Sequence, residues 1–99
     1  MDTDQQMERM ICDKTLELYR AIEAALEGGR SGFGKEKLAE LRSFLKGQTQ
    51  HSAFRNAHAY LPRARSNLAQ WKSELAYSRL SVEDYLRTLK RRSGERSTG

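Results

Sequence analysis

Three basic side chains in the second half of the chain, Arg65, Lys72 and Arg79, recur at a seven-residue interval and form a basic row. On a helix such residues lie two turns apart on one side, so they form a cationic edge that can follow a phosphate backbone. Tyr77 falls within this basic region, roughly opposite the apolar stripe of the same segment, where its ring can stack on a base. The residues that we predict to contact nucleic acid are Arg63, Arg65, Lys72, Tyr77, Arg79, Arg87, Lys90, Arg91 and Arg92.

The uneven charge of the chain supports the same hypothesis. Residues 1–49 hold eight Lys and Arg against nine Asp and Glu, whereas residues 50–99 hold ten against four, so the halves carry −1 and +6 within a total of +5. A basic half favours nucleic acid or an acidic protein surface as a partner. The alternative is that the two halves fold onto each other, with the basic row paired to Glu17, Glu23 or Glu27 of the first helix.

Residues 29–35 match the start of a phosphate-binding loop, G-x-x-x-x-G-K. The next residue is Glu36, at the position where such a loop needs Ser or Thr to hold magnesium. A helix rather than a strand precedes the glycines, and a carboxylate at this position would repel phosphates. We therefore predict a flexible connector here and no nucleotide hydrolysis.

The sequence does not contain the arrangement of side chains that metal binding or catalysis needs. Two histidines and one cysteine are the soft metal ligands, and the histidines are seven residues apart, which on a helix separates them by about 10 Å. Glu83 and Asp84 are adjacent, so on a helix they point about 100° apart and cannot face each other as an acid–base pair. We predict a protein without enzymatic activity, metal or cofactor. The ligands in question are His51, His58 and Cys12.

The composition favours helices. Ala, Glu, Lys, Leu and Arg supply 49 of the 99 residues, whereas Val and Ile supply only three. We predict an all-α fold, a small four-helix bundle formed by one domain over residues 1–92, with a disordered polar tail over residues 93–99. The single Cys12 suits a reducing compartment and no apolar run is long enough for a membrane span, so we expect a cytoplasmic protein that is not membrane-bound.

Apolar spacing places the first two helices. Residues 5–27 show one broad apolar face that includes Met7, while Leu16 falls away from it. Four glycines within residues 28–34 end this helix because they cost too much backbone entropy to remain helical. We predict that the second helix spans residues 35–46.

The stretch 52–79 carries a seven-residue apolar repeat that predicts a long third helix, capped by Ser52. Pro62 lies inside this stretch and removes one backbone hydrogen bond. Since the register is unbroken across Pro62, we expect one helix kinked at Pro62 rather than two helices. The repeat consists of Phe54, Leu61, Leu68 and Leu75 and, three residues after each, Ala57, Ala64, Trp71 and Ser78.

A fourth helix is predicted over residues 82–92. It follows a tight turn at residues 78–81 and begins at a capping box formed by Ser81 and Asp84. Its basic end would then lie in the last helical turn, where cations meet the negative end of the helix dipole. Trp71 is expected at the centre of the bundle.

These features predict a non-enzymatic, small basic protein that binds nucleic acid, DNA in preference to RNA, as a regulatory or accessory factor. The alternative hypothesis is a protein-binding adaptor or inhibitor of the phage or plasmid type. It would act through its helical faces, alone or as a homodimer.

Overall fold

A computed structural model describes the backbone of residues 3–48, 51–63 and 67–98, and the side chains of residues 5–48, 51–63, 67 and 69–91. Over these ranges the chain is all-helical and contains no strand, which confirms the predicted fold class. The helices are α1 (Thr3–Glu27), α2 (Ser31–Lys46), α3 (Ser52–Ala59) and α4 (Leu68–Thr98).

A tight turn joins α1 to α2. Gly29 adopts a left-handed conformation with φ of 73°, the Arg30 N–H donates to the Ala25 carbonyl at 2.7 Å, and the Gly29 N–H donates to the Leu26 carbonyl at 3.3 Å. This is a Schellman motif, in which two bonds satisfy the last carbonyls of a helix within two residues. The connector is therefore shorter than predicted, and α2 begins at Ser31 instead of residue 35.

The predicted long third helix with a kink at Pro62 differs from the structure. Helix α3 ends at Ala59, Pro62 is buried in the connection that follows, and the next helix begins only at Leu68. A proline that lacks an N–H and crowds the preceding turn favours such a break. The apolar repeat is buried on both sides of the break. Phe54 and Ala57 are buried in α3, and Trp71 and Leu75 are buried in α4.

Helix α4 also departs from the prediction, because it passes through residues 78–81 without a turn. The Ser81–Asp84 capping box therefore does not form. Buried residues recur at helical spacing through this stretch, so packing outweighs a local capping signal. The backbone of residues 93–98 is helical where we expected a disordered tail. The buried residues concerned are Leu75, Ser78, Val82, Leu86 and Leu89.

The cap of α3 is one residue earlier than predicted. His51, not Ser52, is the N-cap, and its Nδ1 accepts a hydrogen bond from the Ala53 N–H at 3.0 Å. The His51 ring stacks on the ring of Tyr85 from α4, with centroids 3.9 Å apart. His51 thereby anchors α3 on α4.

Each helix packs on its neighbours in the chain, and α4 also packs on α1. Helices α1 and α4 run in opposite directions, because Tyr19 meets Ser78 whereas Leu26, near the end of α1, lies beside Lys72, near the start of α4. The molecule is 47 Å long, which matches the roughly 46 Å that a 31-residue helix spans. Helix α4 therefore extends along the whole domain.

The core corrects two assignments on α1. Leu16 is buried in the core together with Cys12, although Leu16 falls off the predicted apolar face. Met7 and Met10 are instead 58% and 71% exposed. Trp71 is 6% exposed and belongs to the core, as predicted.

Within the described part of the chain, no helix has the length and apolar character needed to cross a bilayer.

Candidate nucleic-acid interface

Arg79 is engaged by carboxylates. Its guanidinium forms an ion pair with Glu23 of α1, and its Nε lies 3.6 Å from Oε1 of Glu83, one turn further along α4. The second distance is too long for a hydrogen bond, so Glu83 adds only electrostatic attraction. The pairing of the basic row with Glu23, which was the alternative interpretation, is therefore confirmed for Arg79, and this side chain connects α1 to α4.

Lys72 lies in the same acidic surroundings. It is exposed, but it lines a groove between α1 and α4 together with Glu23, Glu27 and Arg79. The two carboxylates offset the two cations in this groove. Lys72 and Arg79 are consequently poorly suited to bind a phosphate backbone.

The basic residues further along α4 have different surroundings. Arg87 Nη1 lies 3.2 Å from Asp84 Oδ1, and both side chains are more than 60% exposed. An exposed pair of this kind contributes at most about 1 kcal/mol and can be exchanged for a phosphate. Lys90 and Arg91 are exposed, and neither belongs to an ion pair among the described side chains. The side chain of Arg92 lies outside the described residues.

The sequence predicted that these cations lie in the last turn of their helix, but the structure places them earlier. Helix α4 continues to Thr98, so Lys90 and Arg91 precede its end by about two turns. The helix dipole acts mainly within the terminal turn. We call Arg87, Lys90 and Arg91 the α4 cluster; among the described side chains, only Arg87 has a carboxylate partner, and that pair is exposed.

Tyr77 is 65% exposed, as predicted, and it has an aromatic neighbour that the sequence analysis did not identify. The ring of Tyr60, at the end of α3, lies 6.2 Å from the Tyr77 ring at an interplanar angle of 36°. Tyr60 is 53% exposed. The sequence offered one indication that Tyr60 is exposed: it precedes Leu61 of the apolar repeat without belonging to that repeat.

Arg63 is exposed and follows Tyr60 by three residues in the connection between α3 and α4. It is the predicted cation nearest in the chain to Tyr60. Arg65 lies outside the described residues. The structure thus divides the predicted site into three parts: Lys72 and Arg79 beside the carboxylates of α1, the aromatic pair with Arg63, and the α4 cluster.

The side chains offer little for other chemistry. Burial, and then the negative charges of Asp13 and Glu8, raise the pKa of the Cys12 thiol to about 12, which keeps it protonated and a weak nucleophile. No three His, Cys, Asp or Glu side chains within the described ranges come together as a metal site. Residues 31–35 of the phosphate-loop-like segment belong to the first turns of α2.

Comparison of the chain with protein-family models, with curated proteins and with solved structures finds no match. The functional argument therefore depends on the geometry and charge described above.

Proposed function

We propose that the protein is a non-enzymatic, cytoplasmic accessory or regulatory factor that binds nucleic acid, DNA in preference to RNA, through the second half of α4. The observation that carries the proposal is the exposure of the α4 cluster, in which Lys90 and Arg91 have no carboxylate partner among the described side chains. Contacts between such cations and phosphates release counterions and drive binding of any sequence.

The Tyr60–Tyr77 pair supports the same proposal. Both rings are more than half exposed, and exposed aromatic rings beside cations are the usual platform for unpaired bases. Arg63, at the same end of α3, supplies a cation for the neighbouring phosphate. The surface is suited to binding that is independent of sequence.

Salt-dependent binding tests this proposal. Fluorescence anisotropy with duplex DNA, single-stranded DNA and RNA would measure the affinity at several salt concentrations. Three phosphate contacts predict a slope of log affinity against log salt of about −2 to −3. Lys90→Gln with Arg91→Gln should reduce the magnitude of that slope by about 1.5.

A matched control removes the same charge elsewhere. Lys14 and Arg20 are exposed on α1, a different helix from the α4 cluster, so Lys14→Gln with Arg20→Gln should change the slope much less. The proposal fails if no nucleic acid binds at low salt, or if the control variant loses as much affinity as the variant of the α4 cluster.

A second candidate function is that of a protein-binding adaptor or inhibitor, including self-association as a homodimer. One observation favours it: Met7 and Met10, three residues apart on α1, are both more than half exposed. Flexible methionine side chains commonly form contacts with other proteins. Light scattering on the wild type and on Met7→Gln with Met10→Gln tests the homodimer, which predicts a mass that falls to the monomer in the variant.

A further inference from the structure

A cavity of about 300 Å³ lies between α2 and the start of α4, away from the α4 cluster. Four of its lining residues are spaced at i, i+3, i+4 and i+7 on α2, so one strip of that helix forms a wall. The connection after α3 and the first turn of α4 form the opposite wall. The lining residues are Lys35, Leu38, Ala39, Arg42, Pro62 and Trp71.

The inner surface of this cavity is apolar and aromatic. Trp71 and Leu38 are 6% and 7% exposed, and Pro62 is buried. Ala39 is exposed and has the smallest side chain of the four on the α2 strip, and this small side chain leaves the space open. A flat apolar group placed here would contact the indole of Trp71 and be removed from water.

The rim of the cavity is cationic. Lys35 and Arg42 lie two turns apart on α2, and none of the lining residues that the structure describes is acidic. Arg42 donates a hydrogen bond from Nη2 to the Pro62 carbonyl oxygen at 2.5 Å, which orients its guanidinium and leaves its other N–H groups for a ligand. Neither cation forms an ion pair with a described carboxylate.

The nearby carboxylates of α2 do not neutralise this rim. Glu36 and Glu40 are exposed and lie on other sides of the helix, at about 100° and 140° from Lys35. Glu40 pairs instead with Lys37, at 3.1 Å. The cavity therefore combines two uncompensated positive charges with an apolar interior.

We propose that this cavity binds a small organic anion with an aromatic body, such as an aryl carboxylate. The aromatic part contacts Trp71, Leu38 and Pro62, and the carboxylate accepts hydrogen bonds from Arg42 and Lys35. The volume is at the lower limit of about 300–1,000 Å³ for ligand pockets, so the ligand has one or two rings. This site is separate from the proposed nucleic-acid surface and does not depend on it.

Trp71 is the single tryptophan of the chain, so the protein gives one indole N–H signal in a proton–nitrogen NMR spectrum. Titration with 1-naphthylacetate should shift that signal and the amide signals of residues 35–42 in a saturable way. The neutral isostere 1-naphthylacetamide has the same shape without the charge. It should bind about 10-fold more weakly, because a charge-assisted hydrogen bond is lost.

Three variants locate the binding. Ala39→Leu should abolish the titration by filling the cavity. Arg42→Gln should weaken binding about 10-fold, and Lys35→Gln about 2- to 5-fold because Lys35 is exposed. Lys46→Gln removes a charge from the same helix outside the cavity and should leave the affinity unchanged.

Three outcomes overturn this proposal. In the first, 1-naphthylacetate leaves the indole signal unmoved. In the second, the acetamide binds as well as the acetate, which shows an apolar cavity without anion recognition. In the third, Ala39→Leu still binds although its spectrum shows a native fold. Arg42 also donates a hydrogen bond to the Pro62 carbonyl, so Arg42→Gln can unfold the protein. In that case the role of charge is decided by comparing the affinities of Lys35→Gln and Lys46→Gln.

Discussion

The hydroxyl of Tyr19 on α1 donates a hydrogen bond to Oγ of Ser78 on α4, and both side chains are fully buried. Ser78 Oγ donates its own hydrogen to the Ala57 carbonyl oxygen of α3, so it must accept from Tyr19. Three helices are thus joined at one serine. Burial raises the pKa of the Tyr19 phenol, and the hydroxyl therefore remains a donor at neutral pH.

Loss of the Ser78 hydroxyl should therefore weaken the fold more than its size suggests. Ser78→Ala leaves the Tyr19 hydroxyl and the Ala57 carbonyl without this partner, so we expect the free energy of unfolding to fall by about 1–3 kcal/mol. Tyr19→Phe leaves the Ser78–Ala57 bond in place and should cost about 1 kcal/mol. Urea unfolding followed by circular dichroism measures both. The exposed control Tyr77→Phe should stay within about 0.5 kcal/mol of the wild type.

Two glycines near the α1–α2 turn should respond to alanine in opposite ways. A Cβ at Gly34 would lie 3.6 Å from Ala25 Cβ and Leu26 Cδ2, an ordinary contact, so Gly34→Ala should stabilise α2 by about 0.5–1 kcal/mol. Gly29 has φ of 73°, so Gly29→Ala should destabilise by about 1–2 kcal/mol. Thermal unfolding of the two variants checks the signs. A stabilising Gly29→Ala would contradict the Schellman turn.

The Cys12 thiol should be unreactive in the folded protein. Because its pKa is raised from 9.0 to about 12, it holds almost no thiolate at neutral pH, and a thiol reagent should label it only at the rate of unfolding. Labelling with 5,5′-dithiobis(2-nitrobenzoate), with and without denaturant, measures this difference. Fast labelling under native conditions would show that Cys12 is accessible.

Alkaline pH should lower stability through the same group. The unfolded thiol ionises near 9.0, whereas the folded thiol stays neutral to about 12, so its stabilising contribution is complete below pH 9 and is lost as the pH rises towards 12. Tyr19 acts in the same direction above its ordinary pKa of 10.0. Denaturant unfolding across this range should show the decline. Cys12→Ala should show a smaller one.

Trp71 should report a buried environment. With 6% of its surface exposed, its fluorescence maximum should be blue-shifted from that of the unfolded chain and move to longer wavelength on denaturation. Trp71→Ala should cost about 3–5 kcal/mol, because it removes a large core side chain. A native spectrum equal to the unfolded one would contradict the position of Trp71 in the core.

Arg79 and Arg91 should have separable roles. Arg79→Gln breaks the ion pair with Glu23 and should reduce stability by about 1 kcal/mol or less, with little change in the salt dependence of nucleic-acid binding. Arg91→Gln should leave stability unchanged and weaken binding. Both are measured by urea unfolding and by anisotropy. A result in which Arg79→Gln has the larger effect on binding would contradict the division of the basic row.

The seven-residue repeat predicted burial better than it predicted helix boundaries. Phe54, Leu61 and Leu75 are all buried, although Leu61 lies outside any helix. Periodicity reports which side chains face the core, and two helices can share that periodicity across a break. The local chemistry of proline favours the break at Pro62. The continuity of α4 at Ser81 depends instead on packing between distant segments, which a local pattern does not contain.

The candidate sites differ in how far the sequence could predict them. Helical geometry indicated the exposure of Tyr77, and the Arg79–Glu23 pair was one of the alternatives that the charge pattern left open. The Tyr60–Tyr77 pair and the cavity beside Trp71 join residues from separate elements, so they depend on how the helices meet. The spacing Lys35, Leu38, Ala39, Arg42 was visible in the sequence, but nothing there indicated that Trp71 and Pro62 complete it.

Helix α4 passes without interruption from the aromatic pair to the α4 cluster, and this has a consequence for the length of any bound strand. Tyr77 and Arg91 are fourteen residues apart, close to four full turns, so they project from nearly the same side about 21 Å from each other. Because the helix is continuous, the distance between Tyr77 and Arg91 is fixed. Under the proposed function, a stacked oligonucleotide shorter than roughly six nucleotides can contact either Tyr77 or Arg91 but not both. The affinity should therefore increase sharply once the oligonucleotide reaches that length.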